Sequence, residues 1–307
     1  MDEYSQVDTW KTKSKVLNLL ARSARDNRLV LVLGAGASMK CGLPDWTSLI
    51  ENAHEIANFT RKPRISDNLA VENLAASMTQ PEFVAVMKRA LYSVRDASTK
   101  KLRSFVESDA PRSGLLEAIC AVVMLSCRRG HGTLVTYNFD DLVEAYLVRR
   151  GLFAYPYSQQ PDWFHNEDVA VLHPHGFLSR RNDFKSSESI TISALDFDKQ
   201  TGNITDLWRT RLVTLYQSHT PLFIGLSGND QNLSSVLQTV KDSHVSRATS
   251  RKFWGVRLCT KDDNTIDFWE HRGVWCETFD SFDDLPAYLM SVCERSADML
   301  IRAKLKP

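Results

Sequence analysis

Arg-Leu-Val-Leu-Val-Leu-Gly-Ala-Gly-Ala-Ser-Met-Lys-Cys-Gly-Leu-Pro-Asp-Trp, residues 28–46, is the most informative segment of this chain. Its apolar run 29–33 has strand character and breaks into the glycine turn Gly34-Ala35-Gly36-Ala37-Ser38. A strand that ends in a glycine turn exposes backbone N–H groups that can hold a pyrophosphate. Gly34 permits a turn that a side chain would hinder, and Gly36 lets the backbone approach a ligand closely. The segment therefore predicts a dinucleotide or nucleotide site.

The glycine turn departs from the usual dinucleotide fingerprint, G-x-G-x-x-G. Met39 stands where that fingerprint has its third glycine. From this segment alone, a tight strand-to-helix turn without any ligand therefore stays open as the alternative.

The composition limits the kinds of protein to which this chain can belong. The 307 residues are 43% hydrophobic with a formal net charge of +1, which supports a sizeable core. Basic clusters are scattered among acidic stretches, so we expect no direct contact with nucleic acid. No apolar run reaches the roughly 18–20 residues of a membrane span, so no membrane contact is expected. The start of the chain lacks a signal peptide, which predicts a reduced, cytoplasmic protein.

The order of elements predicts an α/β fold, a Rossmann-like doubly wound parallel sheet formed by one domain over residues 1–307. Residues 60–130 are expected to form a helical insertion between two strands, acting as packing, a lid or an oligomer surface. The predicted strands are 29–33, 132–136, 169–172, 189–192, 221–226, 253–258 and 273–278. The predicted helices are 9–26, 44–58, 81–94, 97–107, 113–128, 141–150, 203–218, 231–241, 262–271 and 283–304.

Small polar clusters follow four of the predicted strands. In an open parallel sheet, ligands bind beyond the carboxyl ends of the strands, so these clusters are expected to share one edge. They are Gly34-Ala35-Gly36-Ala37-Ser38, Thr136-Tyr137-Asn138-Phe139-Asp140, His173-Pro174-His175-Gly176 and Gly225-Leu226-Ser227-Gly228-Asn229-Asp230.

These clusters resemble the motifs of the sirtuin family, in the same order, over residues 28–240. The glycine turn with Gly42-Leu43-Pro44-Asp45 is similar to the sirtuin nucleotide loop, and Thr136-Tyr137-Asn138-Phe139-Asp140 to the T-x-N-x-D stretch. His175-Gly176 resembles the catalytic histidine-glycine pair, and Gly225-Leu226-Ser227 the late G-x-S contact to the nucleotide. The resemblance implies a sirtuin-like fold that uses NAD.

Two differences from the sirtuin deacylases narrow the part of the family that this chain resembles. Sirtuin deacylases carry a four-cysteine zinc module after the catalytic histidine, but no cysteine lies between His175 and Cys259. No two of the six cysteines form a C-x-x-C pair, so we expect neither a zinc module nor another metal site. Trp46 and Thr47 also replace the arginine that usually follows the Pro-Asp pair. Both departures resemble the sirtuin-like NAD-hydrolase domains of bacterial anti-phage defence systems, which deplete NAD in infected cells.

Three polar residues are candidates for catalysis. His175 is predicted to be the general base for water or for a ribose hydroxyl, because an imidazole titrates near neutral pH. His173, two residues earlier, is expected to be a wall residue. Asn138 is predicted to hold ribose hydroxyls or water, with turn formation or helix capping as its alternative. Asp140 either contacts the nicotinamide end or caps helix 141–150.

The remaining site residues are expected to bind the nucleotide. Ser38 and Ser227 would contact phosphate or ribose, with helix capping as the alternative. Asp230 either holds the adenosine ribose or caps helix 231–241. Asp45 and Trp46 would wall the nicotinamide end, unless Trp46 belongs to the core. The predicted binding set is Gly34, Ala35, Gly36, Ser38, Asp45, Trp46, Thr136, Gly225, Ser227 and Asp230.

The resemblance implies hydrolysis of NAD, as substrate, to nicotinamide and ADP-ribose, in an abortive-infection effector. A zinc-free deacylase or ADP-ribosyltransferase, or a non-catalytic NAD or ADP-ribose sensor, stays open. An unregulated NAD hydrolase would harm its own cell, so we expect the activity of this chain to be regulated. The regulation would come from homo-oligomer contacts through residues 60–130 or 283–304, or from a separate activating protein such as a translocase-type ATPase.

Overall fold

The computed structural model describes residues 13–96, 98–99, 101–105, 113–127, 130–158, 166–180, 184–188, 190–191, 207–228, 230–246 and 253–304. Within these ranges the strands are β1 (Leu29–Leu33), β2 (Ser93–Arg95), β3 (Leu102–Ser104), β4 (Gly132–Thr136), β5 (Ala154–Tyr157), β6 (Val169–Leu172), β7 (Thr220–Ile224), β8 (Gly255–Thr260) and β9 (Val274–Phe279). The helices are α1 (Lys13–Arg25), α2 (Trp46–Ile56), α3 (Asp67–Ala76), α4 (Gln80–Leu91), α5 (Gly114–Ser126), α6 (Leu142–Val148), α7 (Leu207–Ser218), α8 (Gln231–Ser246), α9 (Ile266–His271) and α10 (Leu285–Lys304).

In the described part of the chain, seven strands form one sheet in the order β5-β6-β4-β1-β7-β8-β9. Every neighbouring pair in this sheet is parallel. The order places β1 in the middle, with later strands added on both sides. This arrangement confirms the predicted doubly wound, Rossmann-like architecture.

The central strand β1 is buried on both faces. Its alternate residues Leu29, Leu31 and Leu33 belong to the core under α1, α2, α5 and α10. Val30 and Val32 point to the opposite face, into the core formed with α7, α8 and α9. Because successive side chains of a strand point to opposite faces, only a continuous apolar run can fill both cores. The run 29–33 is therefore explained by helices that cover both sides of the sheet.

The edge strand β5 was not predicted from the sequence. Among the described strands it pairs with β6 alone, and its Pro156 lies opposite Val171. Proline cannot donate a ladder hydrogen bond, so it is tolerated at an edge and argues against a strand elsewhere. The sequence Ala-Tyr-Pro-Tyr therefore carried no strand signal of its own.

Helices α3, α4 and α5 lie between β1 and β4, within residues 60–130. The predicted helix 97–107 is wrong at its described residues 98–99 and 101–105, which belong to the antiparallel hairpin β2–β3 and its flanks. Residues 97, 100, 106 and 107 of that predicted helix lie outside the described part of the chain. Asp96 accepts hydrogen bonds from the backbone N–H groups of Ser98 (3.0 Å) and Thr99 (2.7 Å). This side-chain turn offers the backbone an alternative to a helix.

Some predicted elements reach beyond the described residues. Residues 9–12 of the first helix, 203–206 of the helix before β7, and 189 and 192 of the predicted strand 189–192 lie outside them. The described neighbours Ile190 and Thr191 are not in a strand. None of the helices in the described ranges has the length and apolar character to cross a membrane.

Candidate active site

The four polar clusters follow β1, β4, β6 and β7, which are adjacent in the sheet in the order β6-β4-β1-β7. Leu33 at the end of β1 lies opposite Thr136 of β4 and Ile224 of β7. Val135 of β4 lies opposite Leu172 at the end of β6. The strands therefore end at nearly the same level, and the clusters meet at one edge of the sheet.

The glycines of the first and last clusters pack the two loops against each other. Gly34 N–H donates to Ile224 O (3.0 Å), and Gly36 N–H donates to Gly225 O (3.0 Å). A side chain on Gly36 would start only 2.7 Å from Gly225 Cα, while Gly225 itself has a φ of 72°. The close approach predicted at Gly36 therefore occurs between two loops of the protein. Binding of a pyrophosphate or nucleotide by this turn, at Gly34, Ala35, Gly36 and Ser38, stays a prediction; Ala35 is the exposed residue among them.

Asn138 links the β4 loop to the glycine turn. Its Nδ2 donates to Gly34 O (3.0 Å) and to Ser38 Oγ (3.0 Å). Its backbone N–H donates to the Thr136 hydroxyl (3.1 Å), which explains the polar residue at the end of β4. Both hydrogens of the amide thus have partners, and the Oδ1 atom is the part of the side chain suited to accept from a ribose hydroxyl or water.

Asp140 is a buried carboxyl next to this link. Burial, followed by the charges of Glu144 and Asp141, raises the pKa of Asp140 to about 6. Its Oδ1 accepts a hydrogen bond from Leu142 N–H (3.1 Å), at the first residue of α6. Asp140 thus supports the start of α6 from the position before its N-cap residue Asp141, and is not itself the N-cap. Its raised pKa makes Asp140 a candidate for proton exchange near neutral pH.

His175 is largely buried and paired with Asp230. Its Nε2 is in hydrogen-bond contact with Asp230 Oδ2. The ring meets Tyr137 edge-on, with centroids 5.1 Å apart and an interplanar angle of 72°. Its Nδ1 is buried and has no hydrogen-bond partner in the described part of the protein. This pairing was not predicted from the sequence, in which Asp230 is a candidate for ribose binding or helix capping.

His173 occupies a different environment. It is fully buried, with Nδ1 3.0 Å from Asn138 O and Nε2 2.7 Å from Glu144 Oε1. Its ring packs edge-on against Phe177. Both ring nitrogens therefore have protein partners, and the role of His173 as a wall residue of the site stays a prediction. The buried Glu144 partner was not anticipated from the sequence.

The remaining predicted residues fall around this centre. Asp45 caps α2 by accepting from Ser48 N–H (2.8 Å), so the helix begins at Trp46 and not at Pro44. Trp46 is half-buried against the core, in line with its alternative assignment. Ser38 is buried, whereas Ser227 is exposed at the β7 loop.

Across the described residues, no three His, Cys, Asp or Glu side chains are grouped to hold a metal ion. The cysteines at positions 41, 120, 127, 259, 276 and 293 are all free thiols. Burial raises the pKa of the Cys41 thiol, which interacts electrostatically with Asp140, to about 11. A thiol in this state is a poor nucleophile at neutral pH.

Two sequence comparisons find similarity to sirtuin-type proteins. Residues 132–275 match the family described as SIR2-like domain. The chain is 23% identical over 267 residues to Defense-associated sirtuin 2 of Bacillus subtilis, an alignment that covers 83% of this chain and 23% of that protein. The chain thus spans about a quarter of the length of this curated relative. A solved structure from work on the mechanism and regulation of Sir2 enzymes has a TM-score of 0.45 and 12% identity, covering 92% of this chain and 98% of that one.

Proposed function

We propose that this chain, whose residues 132–275 match the SIR2-like domain family, hydrolyses NAD to nicotinamide and ADP-ribose. The observation that supports this most is the meeting of the four polar clusters at one edge of the sheet. That edge combines a histidine, an amide and a titratable carboxyl within a set of hydrogen-bonded loops. Such a combination suits a reaction in which charge develops on a ribose.

The reaction breaks the bond between nicotinamide and C1′ of the ribose. Nicotinamide leaves with the bonding electron pair and becomes neutral, while positive charge develops on the ribose. The oxygen of a water molecule then forms a bond to C1′, and the proton that water loses must pass to a base. We assign this role to His175, either directly or through a ribose hydroxyl that relays the proton.

Asn138 and Asp140 support this step in the proposal. Asn138 Oδ1 would accept from a ribose hydroxyl or the attacking water, because both Nδ2 hydrogens already hold the glycine turn. In its ionised form Asp140 would favour the positive charge of the bound nicotinamide ring. Ser38, Ser227 and the glycine turn remain the proposed contacts to phosphate and ribose.

A defence role is proposed from the similarity to Defense-associated sirtuin 2. In this role the chain would deplete NAD in infected cells of its host. Because constant NAD loss would be toxic, we propose that its activity depends on self-association or on a separate activating protein, for example a translocase-type ATPase.

The test is a product assay. The purified chain is incubated with NAD, with and without the products of neighbouring genes, and nicotinamide and ADP-ribose are measured by chromatography. A labelled acetyl-lysine peptide is added in parallel. Equal release of nicotinamide and ADP-ribose, with the peptide unchanged, would support the proposal. If the peptide is deacetylated, and NAD stays intact when it is incubated without the peptide, the result would favour the zinc-free deacylase alternative.

A further inference from the structure

Asp230 joins two elements of the site through its two carboxylate oxygens. Oδ1 accepts a hydrogen bond from Leu233 N–H (2.8 Å), in the first turn of α8. Oδ2 contacts Nε2 of His175, which follows β6, 55 residues earlier in the sequence. The first contact fixes the carboxylate on a helix, and the second fixes the imidazole on the carboxylate. An aspartate held by a helix terminus is thus a rigid support for His175.

We infer that Asp230 is a positioning residue that keeps the proton of His175 on Nε2 and leaves Nδ1 as the proton acceptor. A carboxylate accepts hydrogen bonds and cannot donate them, so the nitrogen that faces it must carry the hydrogen. This inference rests on the proposed function for its kinetic consequences, but the tautomer itself is a property of the protein alone.

The surroundings of the imidazole leave this role to Asp230. Besides the carboxylate of Asp230, the aromatic rings of Tyr137 and Phe139 lie against His175 in the described part of the chain. Burial holds the pKa of Tyr137 well above its usual value, so this phenol is neutral, as is Tyr216 behind it. Burial opposes the ionisation of Asp230, but the charge and hydrogen bond of His175 lower the pKa of Asp230 below its usual value. The carboxylate is therefore the charged partner of the ring.

The buried Nδ1 is the second observation. A buried polar atom without a partner costs free energy, so such atoms often mark the place of a ligand group. In the proposed reaction, the O–H bond of water or of a relaying ribose hydroxyl breaks and its proton bonds to Nδ1. The resulting imidazolium is then stabilised by Asp230 and returns its proton to solvent after the product leaves.

Support of His175 is a different role from the ribose contact that the sequence suggested for Asp230. Both of its oxygens are engaged, so a ribose hydroxyl would have to share an oxygen with Leu233 N–H or His175. A ribose contact acts on substrate binding, whereas a support for His175 acts on the chemical step. The two roles therefore predict different kinetic changes.

The deciding variant is Asp230→Asn. It keeps an oxygen to cap α8, but its NH₂ group would face His175 and favour the tautomer with the hydrogen on Nδ1. We expect kcat to fall by at least about 10²-fold, as for other histidines with a disturbed tautomer, while KM changes less than about threefold. Asp96→Asn is the matched control, because Asp96 is a turn-forming aspartate in the hairpin β2–β3, and it should leave kcat unchanged. A raised KM with unchanged kcat in Asp230→Asn would overturn the inference.

A second measurement does not depend on activity. The ¹⁵N shifts of histidine-labelled protein at a pH where the rings are neutral report which nitrogen carries the hydrogen, and His175→Gln identifies the signal. We expect Nε2–H in the wild-type protein and a shift toward Nδ1–H in Asp230→Asn. Nδ1–H in the wild-type protein would overturn the inference even if NAD hydrolysis is observed. Nε2–H in a protein that leaves NAD intact would instead contradict only the proposed function.

Discussion

Asn138 Nδ2 lies 3.0 Å from Ser38 Oγ, although the two residues are 100 positions apart in the sequence. The same amide group also donates to Gly34 O. A single side chain at the end of β4 therefore holds both ends of the turn Gly34–Ser38. This link couples the shape of the glycine turn to the position of the proposed ribose contact.

Replacement of Asn138 by alanine should affect both activity and stability. Asn138→Ala removes the proposed contact to ribose or water and two hydrogen bonds to the glycine turn. We expect turnover of NAD to fall at least about 10²-fold and the free energy of unfolding to fall by about 1–3 kcal/mol. Initial rates and urea denaturation measure the two effects.

Ser38→Ala is the comparison for Asn138→Ala. It removes one acceptor of the Asn138 amide but leaves the Asn138 side chain in place. Because Ser38 is itself a proposed substrate contact, we expect Ser38→Ala to raise KM for NAD and to lower kcat less than Asn138→Ala does. Normal turnover in a folded Asn138→Ala protein would contradict the assignment.

The buried carboxyl of Asp140 predicts a pH-dependent stability. Burial raises its pKa from 3.8 in the unfolded chain to about 6 in the folded protein. Its contribution to stability is therefore fully present below pH 3.8 and is lost as the pH rises through about 6. Asp140→Asn keeps an acceptor for Leu142 N–H and removes this titration. The stability of the variant relative to the wild type should rise by about 2–3 kcal/mol from pH 4 to pH 7.5.

Asp96→Asn is the control for this measurement. Hydrogen bonds from the Ser98 hydroxyl and from Thr99 hold the pKa of Asp96 below its usual value, so its pH dependence should have the opposite sign. Urea denaturation across the pH range records both variants. A difference between Asp140→Asn and the wild type that stays constant with pH would show that folding does not raise the pKa of Asp140.

The sheet could be predicted because its central strands are continuous apolar runs. Strand β1 needs such a run to fill the cores on both faces, and the strands β4, β6 and β7 carry similar signals. Strand β5 gave no such signal, because an edge strand tolerates Pro156. The hairpin β2–β3 was missed because its turn depends on side-chain hydrogen bonds to Asp96, which helix propensity does not describe.

The site residues could be proposed from strand ends, but their partners could not. The pair His175 and Asp230 joins loops after β6 and β7, so it depends on how these strands lie around β1 and β4. An aspartate before a helix predicts a cap, and Asp230 does accept from Leu233 N–H. Nothing in the local sequence shows that its second oxygen faces a histidine. The packing of Gly36 on Gly225 is likewise a tertiary contact.

The absence of a zinc module remains a prediction. The six cysteines are dispersed and include no C-x-x-C pair. Purified protein should contain far less than one zinc per chain, and a chelator should leave the melting temperature unchanged. Elemental analysis and thermal denaturation measure both. Stoichiometric zinc, or unfolding by the chelator, would contradict the prediction.

Self-association is predicted through residues 60–130 or the C-terminal helix α10. In the described residues, Met290 and Ile301 of α10 are 44% and 57% exposed, and Leu69 of α3 is 45% exposed. Exposed apolar side chains on helices are candidates for contacts between copies of the chain. Light scattering should show a mass above that of one chain, and the double variant Met290→Glu, Ile301→Glu should lower it if α10 is the interface.

Leu69→Glu tests in the same way whether residues 60–130 form the interface. Its mass by light scattering is compared with that of the α10 double variant. A wild-type protein that stays monomeric at working concentration, and is fully active without any partner, would contradict both the oligomer and the proposed control.

The most direct test concerns His175, compared with His173. The rate of nicotinamide release from NAD is measured for the wild-type protein, His175→Ala and His173→Ala under conditions in which the wild type is active, with folding checked by circular dichroism and NAD binding by calorimetry. Loss of a general base predicts a rate lower by about 10²–10⁴-fold for His175→Ala, with its fold and NAD binding retained. His173→Ala should mainly lose stability, because its ring is fully buried between Asn138 and Glu144. Near-normal nicotinamide release by folded His175→Ala would contradict the account.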